Sequence, residues 1–398
     1  MQPYEDALSR SLHITLFLSL ASIVFGVWHF YIFSRLSDYF ELNSHSRRYL
    51  AIGLGALLII LMAAMPLGRI LPRETASPFV WVAFTWLGIA MILGLTLLGC
   101  DIAKIVMSLA VSEPSPERRL FLQKGLGLTA LGSAALVSAA SLWNGLRPVQ
   151  VKRVDVHLAK LPPARGGFRI AQITDLHIGP MINGEWLKHV VERTNALNPD
   201  IIAITGDLVD GSVADLSPHV EPLRALQAKH GVFFITGNHE YYSGVDEWIE
   251  HIESLGIRVL RNERVTIQND DNDSLIELAG VDDWASASFP GHGPDLPKAL
   301  EGRNTEIPTV LLAHQPAAIR EAATLGVDLQ LSGHTHGGQI WPWNYFVYIQ
   351  QPYVSGLHRY PNSNSQIYVS EGTGFWGPPM RLGTSAEITE IVLMPVIT

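Results

Sequence analysis

Between residues 175 and 336, aspartate, asparagine and histidine recur in five short blocks. These are Asp175-Leu176-His177, Gly206-Asp207-Leu208-Val209-Asp210, Gly237-Asn238-His239-Glu240, the lone His314, and Gly333-His334-Thr335-His336. Carboxylate and amide oxygens mixed with imidazole nitrogens, without thiolate, form a donor set suited to Mn, Fe or Zn. The set is too rich in nitrogen for calcium. Seven of these side chains, Asp175, His177, Asp207, Asn238, His314, His334 and His336, exceed what one ion needs, so two divalent metal ions are implied. Two such ions about 4 Å apart can clamp a phosphate and generate a hydroxide near neutral pH. A carboxylate shared between them would come from the middle of the set, and Asp207 is the natural candidate.

Each block ends a short apolar run of strand length, at residues 169–174, 200–205, 232–236, 309–313 and 329–332. Segments with helical periodicity fall between them, at 185–197, 217–229, 245–255 and 316–325. Alternating strands and helices predict an α/β architecture. In such a sheet, ligands bind beyond the carboxyl ends of the strands, so the five blocks should converge on one crevice. Residues two apart in an extended segment point the same way, which would aim both members of Asp-x-His and His-x-His inward, with the flanking glycines bending the backbone. Two late runs, 366–370 and 387–393, have no helix between them and read as a closing β-rich edge.

The five blocks in this order resemble the calcineurin-like metallophosphoesterases, over residues 168 to 393. The resemblance implies a four-layer α/β/β/α sandwich with a dinuclear site. It implies that Asp175, His177, Asp207 and His336 bind one metal, and that Asp207, Asn238, His314 and His334 bind the other, with Asp207 bridging. His239 would contact the phosphate and protonate the leaving oxygen, and Asp210 would orient His239 or support the site. The block from Gly333 to Ile340 and the later stretch from Gly372 to Arg381, Gly-Thr-Gly-Phe-Trp-Gly-Pro-Pro-Met-Arg, resemble the branch whose members are often membrane-anchored or exported. Arg381 reads as a ligand for a second phosphate or carboxylate, or as a surface ion pair. Trp341, Trp343, Tyr345 and Phe346 read as a cleft wall, a lipid contact or a packed β edge.

The first third of the chain is of a different kind. Charged residues are only 16% of the whole, and four apolar runs, at 12–33, 50–68, 79–100 and 126–146, are nearly free of them. Each is long enough to cross a hydrocarbon layer of about 30 Å as a helix. Trp28, Tyr31, Trp81 and Trp143 lie near run ends, where interfacial aromatics are expected, and His13 and His29 read as reaching the interface. Four crossings leave both termini on one side. The loops between runs one and two and between three and four hold seven basic residues, Arg35, Arg47, Arg48, Lys104, Arg118, Arg119 and Lys124. The opposite side holds six, Arg10, Arg69, Arg73, Arg147, Lys152 and Arg153. This slight bias, with the Arg118-Arg119 pair that resembles an internal twin-arginine signal, puts the catalytic domain outside the cytoplasm and the chain in the cell membrane. The expected organisation is a four-helix transmembrane region at 1–147, a linker at 148–167, within which 149–158 alternates like a strand, and a metallophosphoesterase domain at 168–398.

The net charge of −9 excludes a basic nucleic-acid footprint, and the single cysteine, Cys100, excludes a disulfide framework or a Cys-rich zinc site. Three functions stay open: hydrolysis of a phosphate mono- or diester by metal-hydroxide attack, hydrolysis of the pyrophosphate in a nucleotide-linked acylated sugar, and a membrane sensor that binds a phosphorylated ligand without turnover. The expected partners are a phosphoester substrate, lipid-linked in one reading of the anchor, and the membrane.

Overall fold

The computed structural model describes residues 2–110 and 115–396, with side chains from residue 19 onward except at 65, 69 and 110. Two compact units result, Met1–Leu142 and Trp143–Thr398.

The first unit is built from α1 (Gln2–Tyr39), α2 (Ser44–Ile70), α3 (Arg73–Ala110) and most of α4 (Pro116–Leu146). All four contain a stretch long and apolar enough to span a membrane. Large apolar side chains such as Ile23, Val27, Phe30, Ile59 and Leu136 are exposed on them, the outward face that lipid tolerates. Polar groups are satisfied between helices instead. His29 is buried; its Nδ1 donates to the Phe25 carbonyl and its Nε2 accepts from the Trp86 indole at 2.9 Å. It therefore joins helices and does not reach an interface, while His13 lies outside the described side chains. Trp28 and Tyr31 also turn inward, donating to the Ala90 carbonyl and to Asp101. Gly94 makes room for this: a Cβ there would lie 2.2 Å from the Trp28 ring.

Twelve strands follow in chain order: β1 (Gln150–Leu158), β2 (Phe168–Ile173), β3 (Ile201–Thr205), β4 (Val232–Ile235), β5 (Arg258–Val259), β6 (Glu263–Gln268), β7 (Ser274–Gly280), β8 (Thr309–Leu312), β9 (Leu329–Ser332), β10 (Gly356–Arg359), β11 (Gln366–Val369) and β12 (Glu387–Pro395). They form two six-stranded sheets, ordered β1-β12-β2-β3-β4-β5 and β10-β11-β9-β8-β7-β6. The sheets pack face to face: Ile170, Ile201, Ala203 and Phe233 from one meet Leu278, Val310, Leu312 and Leu331 from the other in one buried cluster. On the first sheet the crossover helices are α5 (Gly184–Asn195), α6 (Val213–Val220), α7 (Asn238–Ser243) and α8 (Val245–Ser254), which bury Leu187, Val190, Leu216, Trp248 and Ile252. On the second, α9 (Leu296–Ala299) and α10 (Ile319–Thr324) pack against Ala279, Leu311 and Ile367. The result is the expected four-layer α/β/β/α sandwich. With both faces covered, β3 reads as an unbroken apolar run with every residue buried.

Three expectations need correction. Most of the segment read as a linker is β1, paired in parallel with β12 over its full length, so the globular unit begins at Trp143. The late runs 366–370 and 387–393 do not close one edge: β11 lies in the second sheet, and β12 sits inside the first between β1 and β2. The helix expected at 217–229 starts earlier, where Ser212 caps the Asp215 amide, and gives way at Glu221–Ala225 to a 3₁₀ turn containing Pro222.

Candidate metal centre

The carboxyl ends of β2, β3, β4, β8 and β9 carry the five blocks, and the two sheets bring them together. Asp207 stands at the centre. Its Oδ2 lies 3.1 Å from His314 Nε2 and 3.9 Å from each of His177 Nε2 and His239 Nε2. On one side, His177 Nε2 is 3.1 Å from His336 Nε2, which is 3.5 Å from Asp175 Oδ1. On the other, Asp207, His314 and His334 bring ligand-type atoms within 4.8 Å of one another, and the ring centroids of His314 and His334 are 5.1 Å apart. Asn238 opens α7, and its Oδ1 is buried without a hydrogen-bond partner. Six of the seven residues singled out from the sequence thus fall into two adjacent groups, and Asn238 precedes His239, whose amide donates to Asp207 Oδ1 at 2.9 Å.

The route by which they converge differs from expectation. Asp175, His177, Asp207, His334 and His336 are not extended; their φ angles are +54°, +49°, +52°, +69° and +50°. Five non-glycine residues in the left-handed region are costly, at about 1–3 kcal/mol each, and persist only where the surroundings over-determine them. Here backbone and side chains do so. The His334 amide donates to both Asp175 oxygens at 2.9 and 3.1 Å, and Thr174 Oγ1 donates to Asp175 Oδ2. Two glycines are required by close approach: a Cβ on Gly237 would lie 2.2 Å from Asp207 Oδ1, and one on Gly333 would lie 2.2 Å from Asp175 Oδ2.

The protonation pattern fits cations. His314 Nδ1 faces the Thr205 carbonyl at 2.7 Å, an acceptor only, so Nδ1 carries hydrogen and Nε2 turns toward Asp207. That Nε2 is buried and close to a carboxylate oxygen, yet it makes no hydrogen bond. Burial opposes charge on His314, but Asp207 outweighs it and raises the imidazole above its ordinary value; a positive charge is wanted between these two atoms. Burial, then the charge of His177, holds His336 well below its ordinary value, and burial, then His314, holds His334 down at about 3. Neutral imidazoles are the metal-binding form. Buried oxygen and nitrogen atoms with unused lone pairs, grouped around one carboxylate, therefore fit divalent cations.

Asp210 and His239 stand beside this cluster. Asp210 Oδ1 accepts from His239 Nδ1 at 2.5 Å and from His177 Nδ1 at 3.2 Å, so it holds two imidazoles. The His239 ring meets His177 edge-on at 4.7 Å and lies 5.7 Å from both Tyr242 and Trp376. Burial lowers the His239 imidazole, but Asp207 and Asp210 reverse this and raise it to about 9.

Two residues were undervalued or misread from the sequence. Glu240 is fully buried and accepts from four backbone amides, those of Asp207, Leu208, Val209 and Gly237. It ties the loop after β3 to the loop after β4, and its place three residues past Gly237, at the start of a helix, was the available signal. Arg381 was read as a substrate ligand or a surface ion pair, but it is 0% exposed. Its Nη2 donates to the Gly374 and Gly372 carbonyls at 2.6 and 3.2 Å, and its Nη1 lies 3.5 Å from the His336 carbonyl. It braces the backbone behind Asp175 and His336. Trp341, Trp343, Tyr345 and Phe346 are not a packed edge, since each is more than half exposed.

Comparison with known proteins agrees with this geometry. A model of the calcineurin-like phosphoesterase family matches residues 168–338. The chain is 36% identical over 322 residues to a transmembrane protein with metallophosphoesterase domain from Danio rerio, covering 78% of this chain and 73% of that one. It is 40% identical over 293 residues to the Bos taurus protein of the same description, covering 71% and 65%. A Campylobacter jejuni protein described as an uncharacterized metallophosphoesterase is 29% identical over 376 residues, covering 94% of this chain and 96% of that one.

Proposed function

The chain belongs to the calcineurin-like phosphoesterase family, and from that premise we propose that it is a membrane protein that hydrolyses a phosphate mono- or diester with the help of two divalent metal ions. Asp175, His177, Asp207 and His336 would hold one ion, and Asp207, Asn238, His314 and His334 the other. When bound, such a pair supplies positive charge to the phosphoryl oxygens and acidifies water near neutral pH. The chain's own groups do the rest. Asp210 fixes His239 with Nδ1 as donor, which leaves Nε2, 3.9 Å from Asp207 Oδ2, to carry the proton that goes to the leaving oxygen. Asp210, bonded to Nδ1, favours the charged form of that imidazole. Glu240 holds the amides of Asp207 and Gly237 in place, so that Asp207 can face both halves of the site.

The observation that carries this reading is the convergence of Asp175, His177 and His336 on one side, and of Asp207, His314 and His334 on the other, with ligand atoms in each group within 4.8 Å of one another. A sensor would need the metal-binding groups but not the Asp210–His239 pair, which favours turnover. The slight excess of basic residues in the first and third loops supports a catalytic unit outside the cytoplasm of the cell membrane. The test is purified full-length protein with Mn²⁺ on chromogenic phosphate mono- and diesters. Turnover that disappears in Asp207→Ala and His239→Ala is expected; turnover unchanged in both would remove the mechanism.

A further inference from the structure

Exposed aromatic side chains of the second unit are concentrated in one short stretch of the chain. Within nine residues, Trp341, Trp343, Tyr345, Phe346, Tyr348 and Ile349 are all at least 55% exposed. The segment that carries them is not loose. It includes a short helix, α11 (Asn344–Val347), and the Trp341 amide is bonded to the Leu382 carbonyl at 2.9 Å. Gly338 meets Asn344 so closely that a Cβ would fall 2.4 Å from the Asn344 Cα. The backbone is clamped while the aromatics point out, which is the arrangement of a presented surface. Contiguous exposed aromatics on a well-ordered support mark an interaction site.

What this surface meets follows from where the chain leaves the membrane. The last turn of α4, residues 143–146, belongs to the second unit. Asn144 Nδ2 donates to the Arg381 and Thr384 carbonyls at 3.1 and 2.7 Å, and Arg147 donates to Ser385. Gly145 lies against Pro379, where a Cβ would be 2.6 Å from the carbonyl oxygen. The end of a membrane-length helix is therefore bonded to residues 379–385, and Leu382 of that stretch is bonded to Gln339 and Trp341. Within this unit the aromatic strip is thus joined through residues 379–385 to the end of the membrane-length helix. Tryptophan and tyrosine are the residues that favour the headgroup layer. The same platform reaches the reacting groups: Gln339 Nε2 donates to the Trp376 and Pro378 carbonyls at 2.9 Å, and the half-exposed Trp376 ring lies 5.7 Å from that of His239.

We propose that the 341–349 strip rests in the headgroup layer of the membrane that anchors the chain, and that the substrate is a lipid whose phosphoester head passes over Trp376 to the metal centre while its acyl chains stay in the bilayer. The substrate part rests on the hydrolase reading; the surface part does not. The reaction class is ordinary hydrolysis: water adds to phosphorus, the bond to the leaving oxygen breaks, and that oxygen takes the proton from His239.

The experiment uses the full chain in phosphatidylcholine nanodiscs. In a Cys100→Ser background, a bimane label is placed at Phe346→Cys or, as a control on α5, at Lys188→Cys. A headgroup-proximal nitroxide lipid should quench residue 346 at least fivefold more than residue 188. Equal quenching at the two positions, or self-quenching at 346 from a second copy, would overturn the surface assignment. In parallel, the Trp343→Ser/Phe346→Ser/Ile349→Ser variant is assayed on phosphatidic acid in phosphatidylcholine vesicles and on a soluble chromogenic monoester. The ratio of lipid to soluble turnover should fall about tenfold. An unchanged ratio, or wild-type protein that cleaves the soluble ester and never the phosphatidic acid, would overturn the substrate class. Absence of hydrolysis of any ester would sink the hydrolase reading and the substrate class together, with the quenching result still standing for the surface.

Discussion

Replacing Arg381 by lysine keeps a buried positive charge and changes only how it is distributed. In the structure Nη2 donates to the Gly374 and Gly372 carbonyls at 2.6 and 3.2 Å, and Nη1 lies 3.5 Å from the His336 carbonyl and 3.4 Å from Thr384 Oγ1. An ammonium can take the place of Nη2 and keep the two shorter contacts, but it cannot also reach the two longer ones. The net charge is unchanged, and because an ammonium is more strongly hydrated than a guanidinium, the desolvation cost that lowers Arg381 to about 10 does not shrink, so the contacts and volume given up set a lower bound on the loss. These are two weak hydrogen bonds at about 0.5–1 kcal/mol each and a void of roughly methyl size at about 1 kcal/mol. The expected loss is at least about 2–3 kcal/mol, or a fall in melting temperature of about 5–10 °C for a unit of this size.

The loss should be felt at one half of the metal centre. Nη1 sits on the carbonyl of His336, and the segment held by Nη2 bonds to the backbone of Thr174 and Asp175 through the Thr373 and Gly374 amides. Support of this kind is worth about 10–100-fold in metal affinity. In Arg381→Lys, Mn²⁺ titration followed by calorimetry should show one site weakened by that factor and the other nearly unchanged, alongside the lower melting temperature. If Arg381 instead held a substrate phosphate, KM would rise while melting and Mn²⁺ affinity stayed as in the wild type. That outcome would refute the bracing role.

Further expectations follow from the same geometry. In Asp210→Asn, the oxygen that receives both imidazoles, Oδ1, can stay in place but loses its negative charge, so kcat should fall about 10–1000-fold and the alkaline limb of the kcat/KM profile should move to lower pH. His239, raised to about 9 by Asp207 and Asp210 against the effect of burial, contributes stability that is complete below its unfolded value of about 6.5 and is lost as pH rises through about 9. Melting of chelator-treated protein between those limits should decline, and decline less in Asp210→Asn. Asp207→Ala should lower metal content measured by mass spectrometry from two ions per chain toward none, because both halves share that carboxylate. Gly237→Ala forces a methyl against Asp207 and should abolish metal uptake even where circular dichroism shows a folded chain.

Much of this molecule was legible in the sequence, and the reasons for success and failure are physical. The strands at β2, β3, β4, β8 and β9 were found within a residue or two because they are largely buried, with β3, β4 and β8 almost wholly apolar and β2 and β9 broken only by single polar residues. The ligand positions were found because chemistry restricts them to aspartate, asparagine and histidine at strand ends. The strand β6 was missed: it is partly exposed, reads Glu-Arg-Val-Thr-Ile-Gln, and carries little apolar signal. The two edge strands β5 and β10 are only two and four residues long. The alternation at 149–158 does mark β1, but it exposes most of its residues, and only its pairing with β12, more than two hundred residues later, takes it out of the linker and into the sheet.

The geometry at the metal centre belongs to a different category. Extended backbone would also aim Asp-x-His inward, so the sequence pattern is equally consistent with strand alternation and with the left-handed conformations that are present. The difference matters for what holds the site. Alternating side chains on a strand would be positioned by the sheet ladder alone. Residues at φ near +50° must be held against their own preference, and the groups that do so are the ones whose roles were misread or overlooked. Glu240 gathers the amides around Asp207, the Asp175 carboxylate holds the His334 amide, and Arg381 grips the carbonyls behind His336. Buried charge in this unit thus serves mainly to fix backbone, and the ligands inherit their positions from it. A substitution at Glu240 or Arg381 should therefore disturb the site as much through backbone conformation as through charge, which is why a charge-conserving change at Arg381 is the sharper test.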